Sequence, residues 1–261
     1  MGTIIAVTAA AGMGGTGLGG LAAYLFRRGT DRTVSVLLSF AAGMMLAVVC
    51  ADLLTDAIQA GPGLSALPAA SASVLAGCGG IWLLEELVSG LQAGTKRGGL
   101  FLAGVVMAAA IALHNLPEGM VIGASYAADL AEAGEDGRMM ALVIGLHNIP
   151  EGMAVAVPLA AGGASRGRAV LTTAAAGAPT VLGAVLGFCL GTMGPGLQML
   201  TLGGASGAML YVVFGELLPE SFRLCRSPAP VMAAVLGVLT GMGVVLRSEE
   251  HTSELQSHTS I

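Results

Sequence analysis

Long uncharged apolar runs, separated by short clusters of charge, leave this chain few ways to fold. Only 10% of its residues are charged and 55% are hydrophobic, whereas a soluble domain carries roughly 25% charged residues. The mean hydropathy is +0.83. Such a chain cannot cover a water-facing surface. Its apolar runs match the roughly 20 residues that a helix needs to cross a hydrocarbon core of about 30 Å. Eight spans are read, near 3–26, 33–57, 66–89, 100–125, 138–160, 168–192, 197–222 and 229–246. In lipid each span must satisfy its own backbone groups, so the fold class is an all-α membrane protein with eight transmembrane helices. The 41 glycines fit this reading, because small residues let membrane helices pack closely where no hydrophobic drive joins them.

Loop charges give the orientation. Arg27, Arg28 and Arg32 follow span one, Lys96 and Arg97 follow span three, Arg166 and Arg168 follow span five, and Arg223 and Arg226 follow span seven. The even loops hold only Arg138, beside Asp129, Glu132, Glu135 and Asp136. Nine of the 11 Lys/Arg therefore lie on alternate loops, and the positive-inside rule puts those loops in the cytoplasm and both termini outside. The apolar N-terminal run lacks a basic leader and is long enough to span, so it reads as a helix rather than a cleaved signal.

Residues 1–246 read as one transmembrane domain. Residues 247–261 form a polar tail with no amphipathic period, resembling translated sequencing-adapter read-through, and are set aside together with His251 and His258. Cys50, Cys78, Cys189 and Cys225 are scattered singly, with no metal-binding or disulfide spacing. Glu85 and Glu86 read as interfacial acids. Nothing resembles a basic nucleic-acid patch.

Two internal repeats organise the chain. Leu113-His-Asn-Leu-Pro-Glu-Gly-Met120 in span four recurs as Leu146-His-Asn-Ile-Pro-Glu-Gly-Met153 in span five, 33 residues on. Ala41, Gly43, Met45, Leu46, Val48, Val49, Asp52, Leu53, Leu54 and Asp56 of span two match Ala205, Gly207, Met209, Leu210, Val212, Val213, Glu216, Leu217, Leu218 and Glu220 of span seven, 164 residues on. Each pair joins an odd span to an even one, so the copies run in opposite directions. Inverted repeats of this kind build secondary transporters, with the substrate site near the midplane where the halves meet.

The first repeat carries the chemistry. His114 and Glu118 are four apart and share a helix face, with Asn115 beside them, and His147, Asn148 and Glu151 repeat the set. Ionisable groups in mid-membrane are costly and mark function. Pro117 and Pro150 cannot donate to the Leu113 and Leu146 carbonyls, which predicts kinks and freed oxygens. Imidazole, carboxylate and amide oxygen without thiolate form a borderline-hard donor set. It suits Zn(II), then Fe(II), Mn(II), Co(II), Ni(II) or Cd(II), better than Cu(I). The alternatives are polar helix packing and a membrane-embedded metal-dependent hydrolase. Two copies of a six-residue polar motif argue against the first, and the absence of an adjacent His–Glu pair argues against a metalloprotease.

With these motifs, and with the acidic-Leu-Leu-Pro-Glu ending of span seven, the chain resembles the ZIP family of divalent-metal transporters, in particular its bacterial GufA-like branch, to about residue 246. The resemblance implies a 3+2+3 helix bundle and a transport site between spans four and five lined by His114, Asn115, Glu118, His147, Asn148 and Glu151. It also implies movement of metal into the cytoplasm. Relatives often carry a metal-bridging glutamate in span six, where this chain has Thr180, so one metal is expected rather than a bridged pair. The histidine-rich cytoplasmic loop of many relatives is absent.

Asp52 and Asp56 are expected at the outer mouth, and Glu216 and Glu220 at the inner mouth, where carboxylates attract and pass on cations. Met45, with Met44, offers a soft ligand or plain packing. The expected protein is no enzyme and needs no cofactor, because the metal is its cargo. The expected partners are divalent cations, the lipid bilayer of the cell membrane and, as an option, a second copy of the chain. Protonation of Glu118, Glu151 or the histidines would favour release, since metal ligands must be deprotonated to bind.

Overall fold

The computed structural model describes the backbone of all residues except 26–30, 62, 93–99, 133–135 and 260–261. Some side chains within helices, among them those of His114, Glu85, Asp129, Glu132 and Asp136 and of every residue after 246, also lie outside the described set, as do Arg27, Arg28, Lys96, Arg97 and Glu135. Among the described residues there are only helices, turns and short connections, with no strand.

Eight helical stretches follow one another. Helix α1 comprises Gly2–Ala9, a π-helical turn at Ala10–Gly14, and Gly15–Leu25. Helix α2 comprises Asp31–Val48, a π turn at Val49–Leu53, and Leu54–Gln59. Helices α3 (Leu67–Gln92), α4 (Leu100–Glu132) and α5 (Asp136–Ala161) are continuous. Helix α6 is split into Arg166–Ala176 and Pro179–Gly191. Helix α7 comprises Pro195–Val212, a π turn at Val213–Leu217, and Leu218–Leu224, and α8 is Pro228–Thr259. Among the described residues, α1, α2, α5, α6 and α7 are long and apolar enough to cross a membrane, and α3 and α8 hold shorter apolar stretches at Leu67–Leu83 and Pro228–Gly243.

The irregular turns fall where the sequence repeat puts them. The π turns of α2 and α7 begin at Val49 and Val213, 164 residues apart. The same shift carries the π turn of α1, Ala10–Gly14, onto the Gly177-Ala178 break of α6. By contrast, α4 runs helically through Pro117, and α5 through Pro150 and Pro158. The irregularity expected at those prolines appears instead in the helices packed against them.

Packing repeats with the same register. A Cβ on Gly119 of α4 would land on the Thr180 carbonyl of α6, and one on Gly152 of α5 on the Thr16 carbonyl of α1. Likewise Gly43 of α2 sits on the Ala234 carbonyl of α8, and Gly207 of α7 on the Val74 carbonyl of α3. These contacts let backbones meet with no side chain between them. They tie α1 to α5, α4 to α6, α2 to α8 and α3 to α7. Along α1 and α5 the contacts advance together, from Gly15 against Gly145 to Gly19 against Ile149, so those helices run parallel. Helices α2 and α7 run antiparallel: Ser35 bonds Ser221, while Ile58, at the other end of α2, packs near Met199.

The main core lies between these pairs. It contains Leu38, Met45, Val49 and Leu53 of α2, Ile122 of α4, Ile144 of α5, and Met209 and Val213 of α7. Met44 and Met45 are 4% and 0% exposed there, which is the packing alternative of the sequence reading.

Candidate metal centre

Helices α4 and α5 present their polar motifs to one another. Glu118, His147 and Glu151 bring ligand atoms within 4.8 Å of one another, and all three side chains are buried. His147 Nε2 lies 2.9 Å from Glu118 Oε1. In the structure as it stands the imidazole donates to the carboxylate through Nε2, a tautomer assigned from the geometry. Donor atoms around one tetrahedral zinc would sit roughly 3.3 Å apart, given bonds of about 2.0–2.2 Å. A small contraction brings the trio to that spacing. Two carboxylates and a neutral imidazole would neutralise a divalent charge, which an apolar interior otherwise penalises heavily.

The asparagines stand beside the trio and are fully buried. Asn115 Nδ2 donates to the Ala176 carbonyl over 3.0 Å, and Asn148 Nδ2 donates to the Ala11 carbonyl over 3.4 Å. These acceptors lie in the π turn of α1 and at the end of the first half of α6, where regular helical bonding is interrupted. Each asparagine thus ties a motif helix to the broken helix beside it.

The two copies then differ. Asn115 Oδ1 accepts from Thr180 Oγ1 over 3.2 Å. Asn148 Oδ1 is buried with no hydrogen-bond partner among the described residues. Its counterpart hydroxyl, Thr16, turns back instead to the Gly12 carbonyl of its own helix, 2.9 Å away. One amide oxygen is therefore satisfied by protein, and one has a lone pair to offer a cation.

The remaining predicted residues separate. The side chain of His114 lies outside the described residues. Asp52 and Glu216 are half-buried within the π turns of α2 and α7, a kind of turn found often at functional sites. Asp56 is exposed. Glu220 is held by Arg223 through two hydrogen bonds of 2.6 and 2.7 Å, which makes it an ion-paired helix-end residue. Sequence reasoning missed the Ala11 and Ala176 carbonyls and Thr16. The 164-residue repeat extends to them, because Thr16, Leu18 and Gly19 recur as Thr180, Leu182 and Gly183.

A family model described as ZIP Zinc transporter matches residues 90–248, a stretch containing both motifs. The chain belongs to the ZIP family. Among ZIP proteins it is similar to the zinc transporter ZupT of Chlorobium limicola, with 32% identity over 92% of this chain and 94% of that protein. It is 36% identical to the zinc transporter ZIPB of Bordetella bronchiseptica over 91% of this chain and 77% of that protein. A shorter match, 40% identical over 44% of each chain, is to the zinc transporter GufA of Myxococcus xanthus. Family membership and the apolar helices together make this a multi-pass membrane ZIP protein and a transporter rather than an enzyme.

Proposed function

We propose that the protein carries divalent transition-metal cations, Zn(II) first, across the cell membrane into the cytoplasm through the buried cluster between α4 and α5. The observation that carries this reading is the convergence of Glu118, His147 and Glu151 in a ZIP chain. Asn148 Oδ1 supplies a further oxygen, and His114, Asn115 and Thr180 complete the proposed lining. Residues 1–246 are taken as the transporter domain, and the end of the family match at residue 248 supports that boundary.

We read all eight helices as crossing the membrane in an inverted 3+2+3 arrangement with both termini outside. The antiparallel α2 and α7, and the parallel pairing of α1 with α5, agree with the alternation of loop charge. A cation would exchange hydration water for His147, Glu118 and Glu151. Because His147 Nε2 faces Glu118 in the structure, its proton must leave before the nitrogen can ligate, so binding releases a proton and reprotonation favours exit. Every member of the proposed site lies on α1, α4, α5 or α6, which are tied together by glycine-on-carbonyl contacts and by the asparagine bonds. Helices α2, α3, α7 and α8 form the complementary group and carry Asp52 and Glu216. Motion of one group against the other would then move the site past these acids, in keeping with transporters built from repeats.

Uptake of radiolabelled Zn(II) into proteoliposomes tests the reading. Wild-type protein should fill the vesicles with label, and the double variant His114→Ala, His147→Ala should not. Uptake by the double variant at the wild-type rate would exclude the proposed site. A competition series with Fe(II), Mn(II), Co(II) and Cd(II) would rank the cargo.

A further inference from the structure

A second binding feature lies on the opposite, lipid-facing side of α5. Helices α1 and α5 enclose an open groove of about 380 Å³. Its floor is formed where Gly15 meets the Gly145 carbonyl. Its walls are apolar, from Val7 and Leu18 on α1 to Leu142 and Leu146 on α5. Leu18, Leu142 and Leu146 are 56%, 56% and 50% exposed, so the groove opens sideways. One charged residue, Arg138, lines it at the beginning of α5. Arg138, Leu142, Gly145 and Ile149 follow at helical spacing on a single face, which aligns the groove with the helix axis over about 16 Å at 1.5 Å per residue.

We propose that this groove binds a phospholipid with an anionic headgroup, the acyl chain lying between α1 and α5 and the phosphate on Arg138. The two parts of the site match the two parts of that molecule. Apolar walls facing the hydrocarbon suit a chain and nothing polar. A guanidinium at the end offers paired donors in the geometry of a phosphate. A soluble anion would have no use for the walls, and a neutral lipid tail would have none for the arginine. A headgroup carrying its own cation would place that charge beside Arg138, which disfavours it.

The occupant would also touch the transport machinery. Ala10 and Ala11 line the groove and belong to the π turn of α1, and the Ala11 carbonyl receives the Asn148 amide. A chain packed against that turn holds the same backbone that positions Asn148. Uptake should therefore depend on the anionic lipid content of the vesicles. The inference rests on membrane embedding and not on the metal assignment, so lipid binding is measured directly.

Native mass spectrometry of the full chain in detergent, with phosphatidylglycerol or phosphatidylcholine of equal acyl length added, provides the measurement. Wild-type protein should retain phosphatidylglycerol in about fivefold preference, the worth of one arginine near an anionic headgroup. Arg138→Gln should bring the two lipids to parity. Leu142→Trp and Ala10→Phe, both at exposed positions, should fill the groove and reduce retention of both lipids with helical content unchanged. The proposal is overturned if wild-type protein does not discriminate, or if both filled variants retain lipid as before. A change of monomer–dimer ratio in the filled variants, without loss of lipid, would make the groove a contact between copies and would also overturn it.

Discussion

His147 Nε2 and Glu118 Oε1 meet at 2.9 Å between α4 and α5, with both side chains almost wholly buried. A polar pair at that depth has no water to fall back on. His147→Ala removes the ligand nitrogen and leaves Glu118 buried without its imidazole, and breaking a buried pair in this way costs about 3–5 kcal/mol. Zn(II) uptake should drop at least about tenfold, the effect of losing roughly 1.4 kcal/mol of binding. Thermal unfolding in detergent, measured beside uptake, should show the metal-free variant melting earlier than wild type.

Asn148 has two separable roles, and two variants divide them. Asn148→Asp keeps an oxygen near the trio but has no amide proton for the Ala11 carbonyl. Asn148→Leu loses both. The first should bind Zn(II) with altered affinity yet loosen α1 from α5. The second should lose about 1–3 kcal/mol of stability from the orphaned buried carbonyl and bind Zn(II) more weakly. Calorimetric titration together with melting curves resolves the two effects.

Thr180 donates to Asn115 Oδ1 over 3.2 Å and so occupies the oxygen that a second ion would need. Wild-type protein should bind one Zn(II) per chain. Thr180→Glu places a carboxylate beside Asn115 and should raise the stoichiometry toward two, as read by elemental analysis after gel filtration. Stoichiometry unchanged by the glutamate would remove Thr180 from this role.

Gly152 lies against the Thr16 carbonyl, and a Cβ there has no room. Gly152→Ala should destabilise the protein by about 1–3 kcal/mol through overpacking and separate α5 from α1. Gly79→Ala provides the comparison, since nothing lies within 4 Å of its added Cβ. Detergent melting temperatures should fall in the first and hold in the second.

Much of this was legible in the sequence because membrane spans announce themselves by length and polarity. The expected limits of span five, 138–160, lie close to the helix Asp136–Ala161, and the expected span two, 33–57, close to the stretch from Asp31 to Gln59. The convergence of Glu118, His147 and Glu151 followed from the motif repeat. The split of α6 and the π turns were not foreseen. Hydropathy is blind to a one-residue change in hydrogen-bond register, and the prolines drew attention to α4 and α5, which remain helical. The unequal use of Asn115 and Asn148 was equally hidden. It depends on one hydroxyl rotor, Thr180, which sequence spacing cannot orient.

The glycine contacts have a consequence for how this chain can vary. Where Gly119, Gly152, Gly43 and Gly207 meet carbonyls, the partner atom is main chain, and main chain is the same whatever residue stands there. An enlargement on one side therefore has no shrinking substitution on the other to compensate it. Such positions would accept no paired exchange, so suppressor screens begun from Gly152→Ala should return reversions or distant stabilising changes, and none at Thr16.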